Sequence, residues 1–185
     1  MTTETNPPKA VADSARRWWR SLQRTHPNGD RNPQADPGAL ARLRRCPTPA
    51  EAMAEPATLS LFHALGLDED TVRHLPRVAV IAMVLAHVRD DAGSGRAAIQ
   101  AVGKSSKDSE PKLSELRFRR LLACREEEEL AREMRRFVAI ADKTVNVGDL
   151  ARSLFYWGDS VRARWAFHYY GAGFAAPDLS SEETP

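Results

Sequence analysis

Twenty-two arginines stand against five lysines in this sequence. An Arg side chain is a planar fork that donates two parallel N–H groups to a phosphate and stacks on flat rings. A count of 28 alanines beside them gives the excess a plainer source, GC-rich coding, so position matters more than number. Over 126–142, Leu130, Met134, Phe137, Val138 and Ala141 recur at i, i+4, i+7, i+8 and i+11. On a helix they form a core-facing stripe about 100° wide. Arg132, Arg135 and Arg136 lie opposite, where three guanidinium groups could follow a phosphate backbone. Glu128 and Glu129 can pair with Arg132 instead, and a solvated, salt-bridged face has the same pattern. In LSELRFRRLL (113–122), Phe118, Leu121 and Leu122 mark a core side. Arg117, Arg119 and Arg120 cover the rest, with Glu115 nearby. Arg44 and Arg45 form a further pair with no acid between Asp36 and Glu51. Arg152, Arg162 and Arg164 add single charges. Gathered on one surface, these residues would hold a polyanion; scattered and paired with Glu, they are ordinary surface charge.

Nothing comparable supports catalysis. His26, His63, His74, His87 and His168 are dispersed. His87 and Asp91 stand at i, i+4 and can pair, yet no third group completes a triad or a metal site. The sequence holds no HExxH, GxSxG or P-loop. Cys46 and Cys124 lie 78 positions apart with no CxxC; they read as buried thiols in a reducing compartment, not zinc ligands or a disulfide. No catalytic residue, metal ligand or cofactor is expected. Among the aromatics, Val161, Trp165 and Tyr169 follow helical spacing and read as core before base-stacking platforms. Trp18 and Trp19 are adjacent, which on a helix suggests one buried and one partly exposed.

The elements that must position these side chains are helices. Ile occurs three times and no strand-length alternation appears. A first helix is expected over Ala10 to Arg24, then a loop over 25–37. Asp36-Pro37 starts a second helix and Thr48-Pro49-Ala50-Glu51 is a capping box. Arg77 to Arg89, apolar nearly all round, should be a buried centre. Residues 96–102 suggest a brief helix. Four helices follow: one capped by Ser114, one over Glu126 to Asp142, one starting at Asn146, and one capped by Asp159 and ending at Gly171. The expected fold class is all-α, two small helical bundles, the C-terminal one a four-helix bundle. The expected division is a disordered N-terminus (1–9), an N-terminal helical domain (10–103), a linker (104–111), a C-terminal bundle (112–171) and a disordered acidic tail (172–185).

Composition sets the bounds. At 42% apolar and 28% charged the chain is an ordinary globular one. Its net charge of +2 does not by itself point to nucleic acid. The longest uncharged apolar run, 78–88, has 11 residues, against the roughly 20 a membrane span needs. No secretory leader is readable at the start. A cytoplasmic protein with no membrane partner is expected.

Several motifs, taken in order, resemble the CasB family, the small subunit of the type I-E CRISPR complex Cascade. They are ARRWWRSL (15–22), GALARLRR (38–45), LSELRFRRLL (113–122), Arg135-Arg136 and VNVGDLARSLFYWGDSVRARWAFHYYG (145–171). Trp157-Gly158 before a basic, aromatic last helix is the most specific of them. The resemblance implies an all-α, non-enzymatic protein. It implies as partners the backbone and large subunits of Cascade, a second copy of the chain, and guide RNA and target DNA. It implies antiviral defence, by stabilising the guide–target R-loop and the displaced strand. The matching basic positions are Arg44, Arg45, Arg117, Arg119, Arg120, Arg135, Arg136 and Arg152, followed by Arg162 and Arg164. The alternative is a helical protein–protein adaptor without nucleic-acid contacts. A small helical enzyme using His87 or His168 is the third reading.

Overall fold

The computed structural model describes residues 7–25, 29–33, 35–105 and 109–171, with side chains from residue 10 onward. The acidic tail 172–185, the first six residues and 106–108 lie outside this set. The regular structure of the described residues is predominantly helical, as the lack of strand-length alternation implies. In order come α1 (Pro7–Leu22), α2 (Pro37–Arg45), α3 (Pro49–Met53), α4 (Pro56–Ala64) and α5 (Leu75–Leu85). Then follow α6 (Glu115–Ala123), α7 (Glu127–Ile140), α8 (Val147–Phe155) and α9 (Asp159–Tyr169). Two 3-10 segments, Glu69–His74 and Ala98–Ala101, replace longer helices where the chain turns.

Local chemistry sets the starts. The Asp36 side chain accepts from Ala39 N and the Thr48 side chain from Glu51 N, each ahead of a proline at the first helical position. Asn146 accepts from Asp149 N at the start of α8. Ser114 precedes α6 without a side-chain cap bond. Gly158, not Asp159, is the cap of α9, and Asp159 sits in the first turn, where a carboxylate favours the dipole.

Residues 78–85 of α5 and the cap residue Ala86 are fully buried. The helix is the centre of the molecule, touching α2, α3, α4, α7 and α8. Helix α1 lies along α8 and α4. Gly148 permits the α1–α8 approach: a Cβ there would stand 2.8 Å from the Arg16 guanidinium and 3.1 Å from the Ala12 carbonyl. Trp18 and Trp19 are both 5% exposed, against the expectation that one would be exposed. Helix α1 packs against α4 and α2 as well as α8, and the Trp18 indole reaches the Ala57 carbonyl of α4. One apolar cluster runs from Ala15 to Tyr169, and Phe118 stacks on Tyr169 at 3.8 Å.

The sequence pattern did not reveal a two-residue parallel pairing, β1 (Asp90–Asp91) with β2 (Thr144–Val145). It ties the segment after α5 to the α7–α8 connection. Asp142 and Lys143 reach it with φ of 54° and 63°, a left-handed pair costing about 1–2 kcal/mol per residue. The Lys143 carbonyl accepts from Arg89 N at 2.8 Å, which holds that turn in place. Among the described residues no helix is long and apolar enough to cross a membrane. No cluster of His, Cys, Asp and Glu among them could hold a metal ion.

Candidate nucleic-acid interface

The burial of Phe118 and Leu121 fixes which way α6 faces. That orientation leaves Arg117 and Arg120, one turn apart, on a shared exposed flank. Helix α7 buries Leu130, Met134, Phe137 and Val138 and brings Arg136 to the same place. The three arginines line a groove of about 520 Å³ floored by Leu113, Leu121, Phe137 and Ile140. Glu133 is the one carboxylate in its lining. It pairs with Arg136 and lies 3.6 Å from Arg132. Arg132 thus takes Glu133 rather than Glu128 or Glu129. Arg117 and Arg120 have no ion pair among the described residues.

Arg119 turns away from this groove. It binds Glu115 at 2.6 Å, and Tyr170 donates its hydroxyl to the same carboxylate at 3.1 Å. The hydrogen bond from Arg119, then that from Tyr170, holds the Glu115 carboxyl below its usual range.

A second basic cluster closes around His87, just past the end of α5. Arg44 of α2 donates Nε–H to the Ala86 carbonyl. Arg135 of α7 donates to the Cys46 carbonyl at 3.4 Å. Lys143 adds its charge from the left-handed turn. Burial first, then the charges of Arg135, Arg44 and Lys143, pushes the His87 imidazole down to about 4. His87 is therefore neutral near pH 7, and its Nε2 is buried without a partner. Asp91, which at i+4 could pair with it, is engaged elsewhere. Its Oδ2 accepts from Arg16 at 2.9 Å and Arg20 at 3.2 Å, and its Oδ1 from Gly93 N and Val147 N. The pairing fails because β1 turns the Asp91 carboxylate toward α1.

Arg44 also belongs to a groove of about 610 Å³ between the end of α1, α2 and β1, with Arg20, Arg24 and Arg89 in its lining. The sequence reading missed these three. A signal was present, since Arg16, Arg20 and Arg24 recur at i, i+4 and i+8. Arg45 is exposed beside Arg44 and has no ion pair among the described residues.

The remaining three expected positions have intramolecular partners. Arg152 and Arg164 share Asp149, and Arg164 also donates to Ser153 Oγ at 2.8 Å. Burial, ahead of any charge, lowers the Arg164 value. Arg162 donates to the Cys124 carbonyl at 2.8 Å, pairs with Asp159 at 2.9 Å and lies 5.7 Å from the Trp157 ring centre. The structure therefore brings together Arg44 with Arg135, and Arg117 with Arg120 and Arg136. It places Arg152 and Arg164 together at Asp149 of α8, and Arg162 against the end of α6.

Cys46 and Cys124 are both free and buried. Burial pushes the Cys124 thiol up to about 12. Of the aromatics, Trp157, Trp165 and Tyr169 are core, while Tyr156, Phe167 and Tyr170 are exposed.

Comparison with known proteins adds two observations. A family model described as CRISPR-associated protein Cse2 matches residues 39–170. A chain of the crystal structure of E. coli Cascade bound to a PAM-containing dsDNA target aligns with a TM-score of 0.60 and 20% identity. The alignment covers 85% of this chain and 92% of that one, a likeness of fold. No curated protein matches.

Proposed function

Because the chain belongs to the CRISPR-associated Cse2 family, also called CasB, we propose that it is a non-catalytic small subunit of a Cascade surveillance complex. In this reading it lies beside guide RNA and target DNA, in contact with the backbone and large subunits and a second copy of itself. It holds the R-loop and the displaced strand through sugar–phosphate contacts. Sequence is read by guide pairing, and exchanging one duplex for another is nearly balanced in energy, so backbone contacts suffice to tip it. The observation that carries this reading is the α6–α7 groove, where Arg117, Arg120 and Arg136 meet with Glu133 the one acid in the lining. Arg135 and Arg44 extend the basic surface toward α2.

The test is Arg117→Ala/Arg120→Ala/Arg136→Ala in the assembled complex, with target-DNA retention measured by gel shift across a salt series. Each lost phosphate contact removes about 0.7–0.9 from the slope of log K against log salt, so three remove roughly 2–3. If counterion release supplies the whole effect, affinity at about 0.15 M salt falls roughly 50- to 150-fold. The melting temperature of the free subunit should not change, since none of the three guanidinium groups is buried. Unchanged slope and retention would remove the nucleic-acid role and leave the adaptor reading.

A further inference from the structure

We propose that residues 172–185, the segment that follows the described chain, dock back into the α6–α7 groove of their own molecule. Leu179 takes the apolar floor, and Asp178, Glu182 and Glu183 take Arg117, Arg120 and Arg136. The docked segment is an internal competitor for the groove. The docking stands by itself; the competition rests on the nucleic-acid reading above.

The groove offers more than a phosphate backbone can use. Arg117 and Arg120 are exposed and have no ion pair among the described residues. Arg136 shares the one carboxylate of the lining, Glu133, with Arg132. The floor includes Leu121, Phe137 and Ile140. Leu116, one turn before Arg120 on α6, adds apolar surface at 62% exposure. A sugar–phosphate chain brings charge to such a groove and nothing that gains from the floor. A peptide with carboxylates beside large apolar side chains brings both. Residues 172–185 have that character: Phe174, Asp178, Leu179, Glu182 and Glu183, with no Lys, Arg or His.

The described chain delivers the segment to the groove. Helix α9 ends against the start of α6, where Tyr169 donates its hydroxyl to the Leu113 carbonyl at 2.6 Å and Tyr170 donates to Glu115 at 3.1 Å. Leu113 itself lines the groove. Gly171, at a φ of 65°, then turns the chain off the α9 axis. From Glu115 to Arg120, α6 rises only about 8 Å. The stretch from Gly171 to Leu179 spans up to about 26 Å when extended, enough to round the start of α6 and reach the three arginines. The tether holds the segment at a millimolar effective concentration, so a contact too weak to join separate molecules fills the groove within one.

The experiment uses the full chain and its three isoleucines. Ile140 lines the groove, while Ile81 and Ile99 are fully buried and serve as references. Ile140→Val assigns the Ile140 methyl resonance by its disappearance. Asp178→Asn/Leu179→Ser/Glu182→Gln/Glu183→Gln should shift the Ile140 signal and leave those of Ile81 and Ile99 in place. With Arg117→Ala/Arg120→Ala/Arg136→Ala already present, the same change should no longer shift it. Fluorescent oligothymidylate at low salt should bind the tail variant about tenfold more tightly than the wild type, the ratio for an effective concentration of about 1 mM against a separate-peptide Kd of about 0.1 mM. An Ile140 signal identical in both chains overturns the docking and leaves the proposed function standing. A difference that vanishes on dilution assigns the groove to the segment of a second copy and overturns docking within one molecule. A shifted Ile140 with equal oligothymidylate affinity overturns the competition. If oligothymidylate binds neither chain, the nucleic-acid reading and the competition fall together, and the Ile140 shift alone decides the docking.

Discussion

Replacing His87 with Leu should flatten the acid side of the stability curve. The imidazole ordinarily titrates near 6.5 and in the folded chain near 4. Burial is the main cause, and Arg135, Arg44 and Lys143 oppose a further positive charge. Between those values the unfolded chain binds a proton that the folded chain refuses. Stability therefore falls as pH drops below 6.5 and the loss is complete below 4. From about pH 7.5 to about pH 5 the difference integrates to about 2 kcal/mol. This window lies above the range in which carboxylates protonate, so His87 dominates it. Urea unfolding of the wild type and of His87→Leu at the two pH values measures the effect. The wild type should lose about 2 kcal/mol more than the variant. Leu also removes a buried Nε2 that has no partner, so the variant should not be weaker at neutral pH. Equal losses in both proteins would show that His87 takes up its proton in the folded state, and that the cluster of Arg44, Arg135 and Lys143 is open to solvent.

Arg162→Ala should reduce stability rather than strand binding. It loses a hydrogen bond to Cys124 and the stacking over Trp157, about 1–2 kcal/mol together; chemical denaturation and gel shift on one preparation separate the two effects. The ion pair with exposed Asp159 adds little. Gly103→Ala should be destabilising by about 1–3 kcal/mol, because its Cβ would meet Tyr169 Cα at 3.0 Å and the Tyr169 carbonyl at 3.1 Å. That carbonyl is already bonded to Lys104 N, so backbone must move; a melting temperature equal to that of the wild type would contradict the packing of α9.

Where a local rule decides the outcome, the fold is legible in the chain. The starts of α2, α3 and α8 follow from Asp36, Thr48 and Asn146, and the burial of α5 follows from its unbroken apolar run. The stripe of Leu130, Met134, Phe137 and Val138 predicts the buried face of α7. Long-range contacts leave no such signature. Nothing near His87 in sequence says that Asp91 will turn to Arg16, 75 residues away. Nothing near Trp18 says that α4 will supply the carbonyl of Ala57. The basic residues divide on the same line. Their helical faces can be read by counting, so Arg117 with Arg120 was foreseeable. The meeting of Arg44 with Arg135 depends on how α2 and α7 cross α5, which periodicity does not encode.

The near-neutral total charge follows from the same division. A strand lying on the surface senses charge within about a Debye length, some 8 Å at physiological salt, so the local balance decides and the sum does not. The structure separates arginines with fixed carboxylate partners from those without. Asp91 is held by Arg16 and Arg20, Asp149 by Arg152 and Arg164, and Glu115 by Arg119. These pairs cancel charge locally. Among the described residues Arg117 and Arg120 have no ion pair, and Arg44 and Arg135 bond to neutral carbonyls, so their charge is not cancelled there. A chain of net +2 can thus carry locally uncompensated positive charge. Few contacts give weak binding for the subunit alone. In the proposed role, a complex that already carries the nucleic acid would present it at high effective concentration, where a modest free energy would be enough to tip strand exchange.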